Sequence, residues 1–550
     1  MFIFEILSLI LTLILLITSI SGLGNIISYK LNNDNIINIF FGFIILGIYS
    51  TFIHFFFKIT LTSNIIIFFI GIFLFITSNN KEFFRNIKKS NFYYFLVIFF
   101  LIPILISQKY HEDFGYYHLP YALSFLKEKI IFGFANVNYA YIYNSIWLNI
   151  STLLLLPYDN FNYLTLHSFI LYSIFVIFLC KNIFEENRHT LSNIFSTIVL
   201  FYFLLKFTRI SEYGVDLPAA IYAILAIIFF LKFFESDEEG KKNEYFFYNL
   251  SFSVFAVLIK LSVLPIFILT FYLFFKSYFL KNFLYLKYNF LIIYFCCLIF
   301  FIQQFIYTGC IIFPSMTSCL DVSWFNNDFA TYKNKLELIN KSYSEARLIF
   351  LPDEYLKDFK WLSFWFKRNF IEILEHILTM LFPIALYLLF LNKKNENNKF
   401  NFHNVFVLVI LFLVNLIFWL MFSPVYRFGI HFFTIFSFLI ILYFFRNKIF
   451  SKKIFLIFLC ACISFSFLKN TKRIFEKDRI FFGIEMIKNQ YKPNLSQGIQ
   501  EIKVFSPDIK NNMKNGWQGR LCWDIPFICS YNKLDISKKN KYLILKKLND

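Results

Sequence analysis

Charged residues are scarce in this sequence. Only 16% of its 550 residues are Asp, Glu, Lys or Arg, whereas 58% are hydrophobic. Soluble globular domains carry about 25% charged residues. This composition therefore excludes an ordinary soluble protein and indicates an all-α polytopic membrane protein.

The sequence also lacks a cleavable signal peptide and a compact basic patch. Its first apolar run, at residues 2–21, has no preceding Lys or Arg and no small-residue cleavage site, so we predict a retained helix. The net charge of +19 comes from lysines in short connections between apolar runs, where the positive-inside rule places them. We therefore expect membrane lipids, and no nucleic acid, among the partners.

Apolar runs approaching the ~20 residues that span a bilayer follow one another along the chain and predict about 13 to 15 transmembrane helices. These runs are 2–21, 36–57, 59–78, 92–107, 144–157, 163–184, 191–207, 217–234, 245–259, 263–279, 288–307, 371–391, 402–422, 428–445 and 454–468. Three apolar runs lie between Asp113 and the polar residues 209–216, but both positions can lie on the outer face only if an even number of helices crosses the membrane between them. We therefore interpret the short run 144–157 as a partial or re-entrant helix.

Basic clusters orient these spans. Lys and Arg concentrate at residues 81–89, 276–287, 393–399 and 446–453, which marks those turns as cytoplasmic. The expected domains are a transmembrane domain at residues 1–468 and a small extracytoplasmic α/β domain at 469–550. The transmembrane domain should expose four extracytoplasmic loops, at residues 108–143, 208–217, 308–368 and 423–428.

Four of the nine cysteines fall in the predicted outer regions as two close pairs, Cys310 with Cys319 and Cys522 with Cys529. An oxidising compartment favours disulfides between such neighbours, and the CxxC spacing of a zinc site is missing. A chance distribution is the alternative. The other five cysteines lie in apolar runs, where we expect buried small side chains.

A dense polar cluster opens the first outer loop. Residues 111–118 read His-Glu-Asp-Phe-Gly-Tyr-Tyr-His. Two adjacent acids and two histidines would be costly within hydrocarbon, so the loop should lie at the interface or in a wet cavity. The following residues, 119–132, have the spacing of an interfacial helix or of a connector packed on the bundle.

Three later polar positions are predicted on the same face. Asp216, two residues before Pro218, would cap a helix start. Lys260 lies between two apolar runs, where snorkelling to the interface is the alternative. Arg427 stands in an outer turn, against the positive-inside trend, which favours a function.

Two acids and two fixed cations at headgroup level suit a lipid-linked phosphosugar. Arg427 and Lys260 would neutralise the phosphate leaving group. Asp113 would deprotonate the incoming hydroxyl, with Asp216 supporting it or orienting the acceptor. These roles require all four side chains to converge on one pocket.

Several short segments carry a resemblance to a known superfamily. They are residues 112–120, 143–147, 216–219, 260–262, 427–429 and 522–529. In this order they resemble the GT-C superfamily of membrane glycosyltransferases, and more closely an uncharacterised bacterial family of polytopic membrane proteins related to it. The resemblance implies a GT-C-like bundle in the bacterial cytoplasmic membrane. It also implies sugar transfer from a polyprenyl-phosphate donor to a lipid, glycan or protein acceptor on the periplasmic or exterior face.

We therefore predict a site with catalytic and substrate-binding residues. The catalytic candidates are Asp113, Glu112 and Asp216. The substrate-binding candidates are His118, Tyr117, Asn144, Trp147, Glu212, Lys260 and Arg427. Glu112 stands before a single aspartate where many members of the superfamily show two acids. That departure leaves open which carboxylate is the base and whether Mg²⁺ or Mn²⁺ takes part.

Two other functions stay open. A transporter or flippase of lipid-linked saccharides would need discontinuous helices and often two related halves, and the sequence shows no internal repeat. A glycan polymerase or ligase would use the same donors on the same face. The tail carries no Ser-His-Asp order, no Gly-rich phosphate loop and no HExxH, so we expect it to recognise the acceptor or to cap the bundle.

Overall fold

The computed structural model shows a mostly helical protein. The described residues are 2–28, 31, 35–78, 89–106, 112–154, 164–185, 190–206, 214–277, 287–391, 402–445, 451–475, 493–499, 502–507 and 521–548.

The helices of this described part run through the chain from its first residues to Ile474. In order they are α1 (Phe2–Ser28), α2 (Asn35–Phe56), α3 (Leu61–Thr77), α4 (Lys89–Ile106), α5 (Leu119–Lys127), α6 (Ile146–Thr152), α7 (Leu166–Glu185), α8 (Leu191–Leu205), α9 (Asp216–Glu235), α10 (Glu239–Ile259), α11 (Phe267–Ser277), α12 (Lys287–Thr308), α13 (Asp328–Asn340), α14 (Tyr343–Ala346), α15 (Pro352–Leu356), α16 (Trp361–Leu389), α17 (Phe402–Phe422), α18 (Ile430–Phe445) and α19 (Lys452–Ile474).

Eight helices of the described chain are long and apolar enough to cross a membrane, namely α1, α2, α7, α9, α12, α16, α17 and α19. Five shorter apolar helices accompany them. The expected helical, membrane-type fold is confirmed at this level. The total of about 13 to 15 crossings stays a prediction.

Helices differ in how far other helices cover them. In α7 and α9, 94% and 89% of the apolar stretch is buried within the protein, against 28% in α16 and in α17. A helix that is apolar on all sides and covered on all sides belongs to the centre of a bundle. The site therefore rests on α9, one of the best-covered helices of the described chain.

Within the first predicted outer loop, a π-helical turn, Phe114–His118, runs directly into α5. Tyr121 and Phe125 of α5 are buried, so this helix is a connector packed on the bundle and not an interfacial helix lying on the membrane. The helix ends at Lys127, five residues before the end of the predicted segment 119–132. The short run 144–157 forms only the seven-residue helix α6, as a partial helix should.

A buried hydrogen-bond network joins α5 and α6 to two long helices. The Tyr121 hydroxyl donates to Asn149 Oδ1 at 2.6 Å, and the Asn149 amide donates to Thr51 of α2 and to Gln303 of α12. Asn144 donates to the same Gln303 oxygen at 2.8 Å. Satisfied polar groups of this kind fix one arrangement of neighbouring helices. The network sets the position of the first outer loop on the bundle.

The described parts of the tail form two antiparallel hairpins. Strands β1 (Pro493–Ile499) and β2 (Ile502–Pro507) pair with each other, as do β3 (Leu534–Lys539) and β4 (Tyr542–Lys547). The second hairpin turns through Asn540 and Lys541, both with positive φ, which matches the twist of a tight hairpin. Mixed strand and helix was expected for the tail; its described residues beyond α19 form strands, and α19 itself extends past residue 468.

The tail is joined to the first outer loop by backbone hydrogen bonds. Phe132 donates to Leu543 O and accepts from Leu545 N, each at 2.9 Å. The Asn136 amide donates to Leu545 O at 3.0 Å. Leu543 and Leu545 are buried in the same apolar core as the helices. The tail thus caps the bundle at the loop that carries Asp113.

Both predicted disulfides are present, Cys310–Cys319 in the long outer loop and Cys522–Cys529 in the tail. The remaining cysteines only partly match the expectation of burial. Cys180, Cys296 and Cys462 are buried and Cys297 is half-buried, but Cys460 is exposed on α19. Because α19 lies at the edge of the bundle, one of its faces is left uncovered.

Candidate active site

Asp216 holds two cations at the start of α9. Its Oδ1 atom forms an ion pair with the Lys260 ammonium, and its Oδ2 atom lies 3.2 Å from Arg427 Nε. The three side chains are between 17% and 26% exposed, so the cluster is largely shielded from water. Residues far apart in the sequence thus form one charged group.

Helix ends bring Asp216 and Lys260 together. α9 begins at Asp216 with Pro218 in its first turn, as the sequence predicts. α10 ends at Ile259, and Lys260 follows in an extended conformation before the turn Leu261–Ile266. Because α9 and α10 pack as neighbours joined by a short connection, the start of one lies beside the end of the other.

Aromatic side chains fix the turn that carries Arg427. Trp365 Nε1 donates to Pro424 O at 2.6 Å, and Trp419 Nε1 donates to Val425 O at 2.8 Å. The His376 ring stacks on Tyr426 at 4.4 Å. Trp365 and Trp361 are both buried against protein, so the turn is packed on the bundle.

Asp113 completes the cluster. It immediately precedes the π-helical turn, and its negative charge acts on both Lys260 and Arg427. Burial, followed by the charges of Asp113 and Asp216, raises the pKa of Tyr117 well above its usual value. The structure thus brings together the four positions on which the sequence hypothesis depends. Glu112, by contrast, is exposed to solvent.

The environment of Lys260 is the least favourable for a charge. Burial lowers the pKa of Lys260 to about 8; Asp216 opposes that shift, whereas Arg427 adds to it. Its Nζ atom lies 3.1 Å from the centre of the Phe428 ring, a cation–π contact. For Arg427, burial acts to lower the pKa, but Asp216 and Asp113 more than offset it, so the pKa is raised. At neutral pH both side chains are cations that can face an anion.

A tightly held divalent metal does not fit the described residues of this cluster. Both oxygens of Asp216 face cations, and no group of three or more His, Cys, Asp or Glu side chains occurs in the described ranges. Mg²⁺ and Mn²⁺ prefer several oxygen ligands. We therefore derive no step through a metal.

The other predicted substrate contacts are placed differently. Trp147 is fully buried, packs on Phe43 and His167, and donates to Ser168 at 3.3 Å. Asn144 belongs to the hydrogen-bond network of Gln303. Their contacts within the protein are those of packing residues.

Two predicted substrate contacts remain. The buried His118 ring lies 4.1 Å from the Tyr117 ring, at the edge of the cluster. Glu212 lies outside the described residues. Neither placement tests a contact with substrate.

Sequence reasoning missed the residues of the tail that hold the Asp113 loop. The Trp523 amide donates to Gly115 O at 2.8 Å, and the Trp523 ring packs on Phe114. A Cβ atom on Gly115 would lie 2.5 Å from that ring. The only sequence signal of this close approach is Gly115 itself, a glycine between the bulky residues Phe114 and Tyr116.

Comparisons with known proteins place the chain in a family without assigning an activity. No curated protein and no solved structure matches it. A family model described as a domain of unknown function, DUF8201, matches residues 6–434, which include Asp113, Asp216, Lys260 and Arg427. Because the match covers most of the sequence, the chain belongs to the DUF8201 family.

Proposed function

We propose that the protein is a membrane glycosyltransferase. It would move a sugar from a polyprenyl-phosphate donor to a hydroxyl acceptor on the extracytoplasmic face of a bacterial cytoplasmic membrane. The observation that carries the proposal is the convergence of Asp113, Asp216, Lys260 and Arg427 at the ends of membrane-type helices. The resemblance to the GT-C superfamily supports the same reaction.

The proposed step needs one base and a place for one departing anion. The acceptor hydroxyl gives its proton to the Asp113 carboxylate while its oxygen forms a bond to the anomeric carbon. The bond from that carbon to the phosphate oxygen breaks, and the phosphate leaves with the electron pair. Lys260 and Arg427 stabilise the negative charge that develops on the phosphate.

Asp216 is a positioning residue in this scheme. With one oxygen toward Lys260 and the other toward Arg427, it holds both cations in place before the donor arrives. A carboxylate shared between two cations is poorly suited to accept a proton, because each cation favours the charged form. Asp113, which immediately precedes the π-helical turn, is therefore the proposed base.

The test uses the full-length protein in lipid nanodiscs with a panel of polyprenyl-phosphate hexoses and pentoses. Release of polyprenyl phosphate is measured with wild type and with Asp113→Asn, and the membranes of cells expressing each are analysed for glycan. General-base catalysis contributes about 10²–10⁴-fold, so Asp113→Asn should lower release by at least about 10²-fold. Asp237→Asn, at an exposed acid between α9 and α10, is the matched control.

Three outcomes separate the functions that the sequence leaves open. Loss of release with a normal protein level supports the transferase. Accumulation of lipid-linked saccharide in the inner leaflet, without any release by wild type, identifies a flippase. Long products assembled from repeating units identify a polymerase. Unchanged release by Asp113→Asn overturns the proposed role of that carboxylate.

A further inference from the structure

Three tyrosines from separate parts of the chain meet beside Asp113. Tyr116 belongs to the π-helical turn, Tyr332 to α13 of the long outer loop, and Tyr531 to the tail. The rings of Tyr116 and Tyr531 lie 5.4 Å apart, and Tyr116 and Tyr332 are close enough for each hydroxyl to shift the pKa of the other. We call these three residues the tyrosine surface.

The tyrosine surface is partly exposed to solvent and uncharged. Tyr531 is 38% exposed, and Tyr116 and Tyr332 are half-buried. Burial raises the pKa of all three hydroxyls, with the Asp113 carboxylate adding to the effect at Tyr116 and Tyr332. The phenols are therefore neutral at physiological pH and are able both to donate and to accept hydrogen bonds.

The nearness of Asp113 indicates which substrate would contact the tyrosine surface. Its charge acts on Tyr116 and Tyr332 as well as on Lys260 and Arg427, so the carboxylate lies near both the tyrosine surface and the cations. In the proposed reaction the donor phosphate binds at Lys260 and Arg427. The tyrosine surface is then the neighbouring place from which an acceptor hydroxyl would reach Asp113.

The chemistry of the surface matches a carbohydrate. Flat aromatic faces cover the C–H groups of a sugar ring, while neutral hydroxyls pair with its hydroxyls. Tyr139, whose ring lies 5.0 Å from that of Tyr332, extends the aromatic area. An aliphatic lipid alcohol would use none of the phenol hydroxyls.

We propose that Tyr116, Tyr332 and Tyr531 form a saccharide-binding subsite, and that the acceptor presents a sugar ring to it. The acceptor would then be a glycan or a glycosylated lipid, with a protein hydroxyl as the disfavoured class. The acceptor role rests on the proposed transferase function. The binding of sugar does not, because it can be measured without turnover.

The experiment measures binding directly. Full-length protein in nanodiscs is mixed with maltotriose, N,N′-diacetylchitobiose and an α-linked rhamnose disaccharide, and saturation-transfer NMR records which of them binds. Tyr332→Ala should weaken binding about tenfold, as loss of a central aromatic anchor does. Tyr332→Phe keeps the ring and removes one hydroxyl, so the expected loss is smaller, about fivefold.

The controls separate this inference from the reaction. Tyr294→Ala removes a tyrosine that is 67% exposed on α12 and should leave binding unchanged. Thermal unfolding checks that each variant is folded. Asp113→Asn should bind sugar as wild type does while losing release of polyprenyl phosphate.

Each result decides one of the two proposals. No binding of any probe, or binding that Tyr332→Ala leaves unchanged, overturns the saccharide subsite even if Asp113→Asn abolishes turnover. Binding that depends on Tyr332, together with full turnover by Asp113→Asn, overturns the catalytic role and leaves the subsite standing.

Discussion

The charged cluster and the tyrosine surface lie side by side but are built in opposite ways. Helix ends and hydrogen-bonded turns of the bundle hold Asp216, Lys260 and Arg427, and their charges are paired and partly shielded from water. Loops and the tail supply the tyrosine surface, which is neutral and partly exposed. Catalysis on a charged leaving group requires side chains that the helices hold in fixed positions, whereas side chains on loops and on the tail can bind a larger partner.

The largest effect should come from removing the shared carboxylate of the charged cluster. Asp216→Ala leaves Lys260 and Arg427 beside each other without the carboxylate that pairs with both. We expect a loss of about 3 kcal/mol in unfolding free energy, at the low end for a broken buried pair because the cluster is partly exposed. Thermal unfolding and release of polyprenyl phosphate measure both consequences. Asp237→Ala is the control. If Asp216→Asn unfolds at the same temperature as the wild type, the pairing of Asp216 with the two cations is contradicted.

The next effect tests the contact between the loop of Asp113 and the tail. Gly115→Ala places a methyl group against the Trp523 ring and should displace the loop of Asp113. A shift of about 1 Å at a reacting group costs about 10²-fold in rate. We expect that loss of turnover with little change in protein level. Gly240→Ala, at a glycine with nothing within 4 Å, should have no effect.

A smaller effect should follow from opening the disulfide of the tail. The Cys522–Cys529 bridge closes a short loop, and its entropic contribution is about 2.5 kcal/mol to the stability of the segment that contains it. Cys522→Ser with Cys529→Ser should therefore loosen the tail and weaken sugar binding more than it lowers the melting of the helices. Limited proteolysis and the NMR assay report on each part, and equal losses in both would contradict a separable tail.

The smallest effect is the pH dependence of the charged cluster. The pKa of Lys260 falls from 10.5 in the unfolded chain to about 8 in the folded protein. Its positive charge is present below that value and lost above it, so turnover should be about tenfold lower at pH 9 than at pH 7. Lys260→Arg should move this fall to higher pH.

The same lowered pKa has a consequence of opposite sign for stability. Between about pH 8 and 10.5 the unfolded chain binds more protons at Lys260 than the folded protein does, so the contribution of this residue to unfolding free energy rises with pH. Comparison of wild type with Lys260→Met across this range isolates that contribution. A contribution that decreases with pH would contradict the burial of the charge.

Patterns of charge and hydropathy predict much of the fold and little of the contacts. The helical class, the short helix α6 and both disulfides follow from local composition and spacing. The contact of the tail with Phe132 and the hydrogen bond from Trp365 to Pro424 O are not foreseen, because the partners are distant in sequence.

The site shows the same division. Unusual charges in an apolar chain marked Asp113, Asp216, Lys260 and Arg427, since each is costly unless paired or wet. Tyrosine is common in this sequence, with 34 copies, so nothing distinguished Tyr332 from the rest.

Local patterns specify a chain of apolar helices that carries a few charged residues and two disulfide-forming pairs. The pairing of Asp216 with Lys260 and Arg427, and the packing of the tail on Gly115, arise only in the folded bundle. The two kinds of information differ in their range along the chain. Hydrophobicity and helix formation act within a few turns of one segment. An ion pair or a tight packing contact between distant residues exists only once folding of the bundle has brought the two residues together.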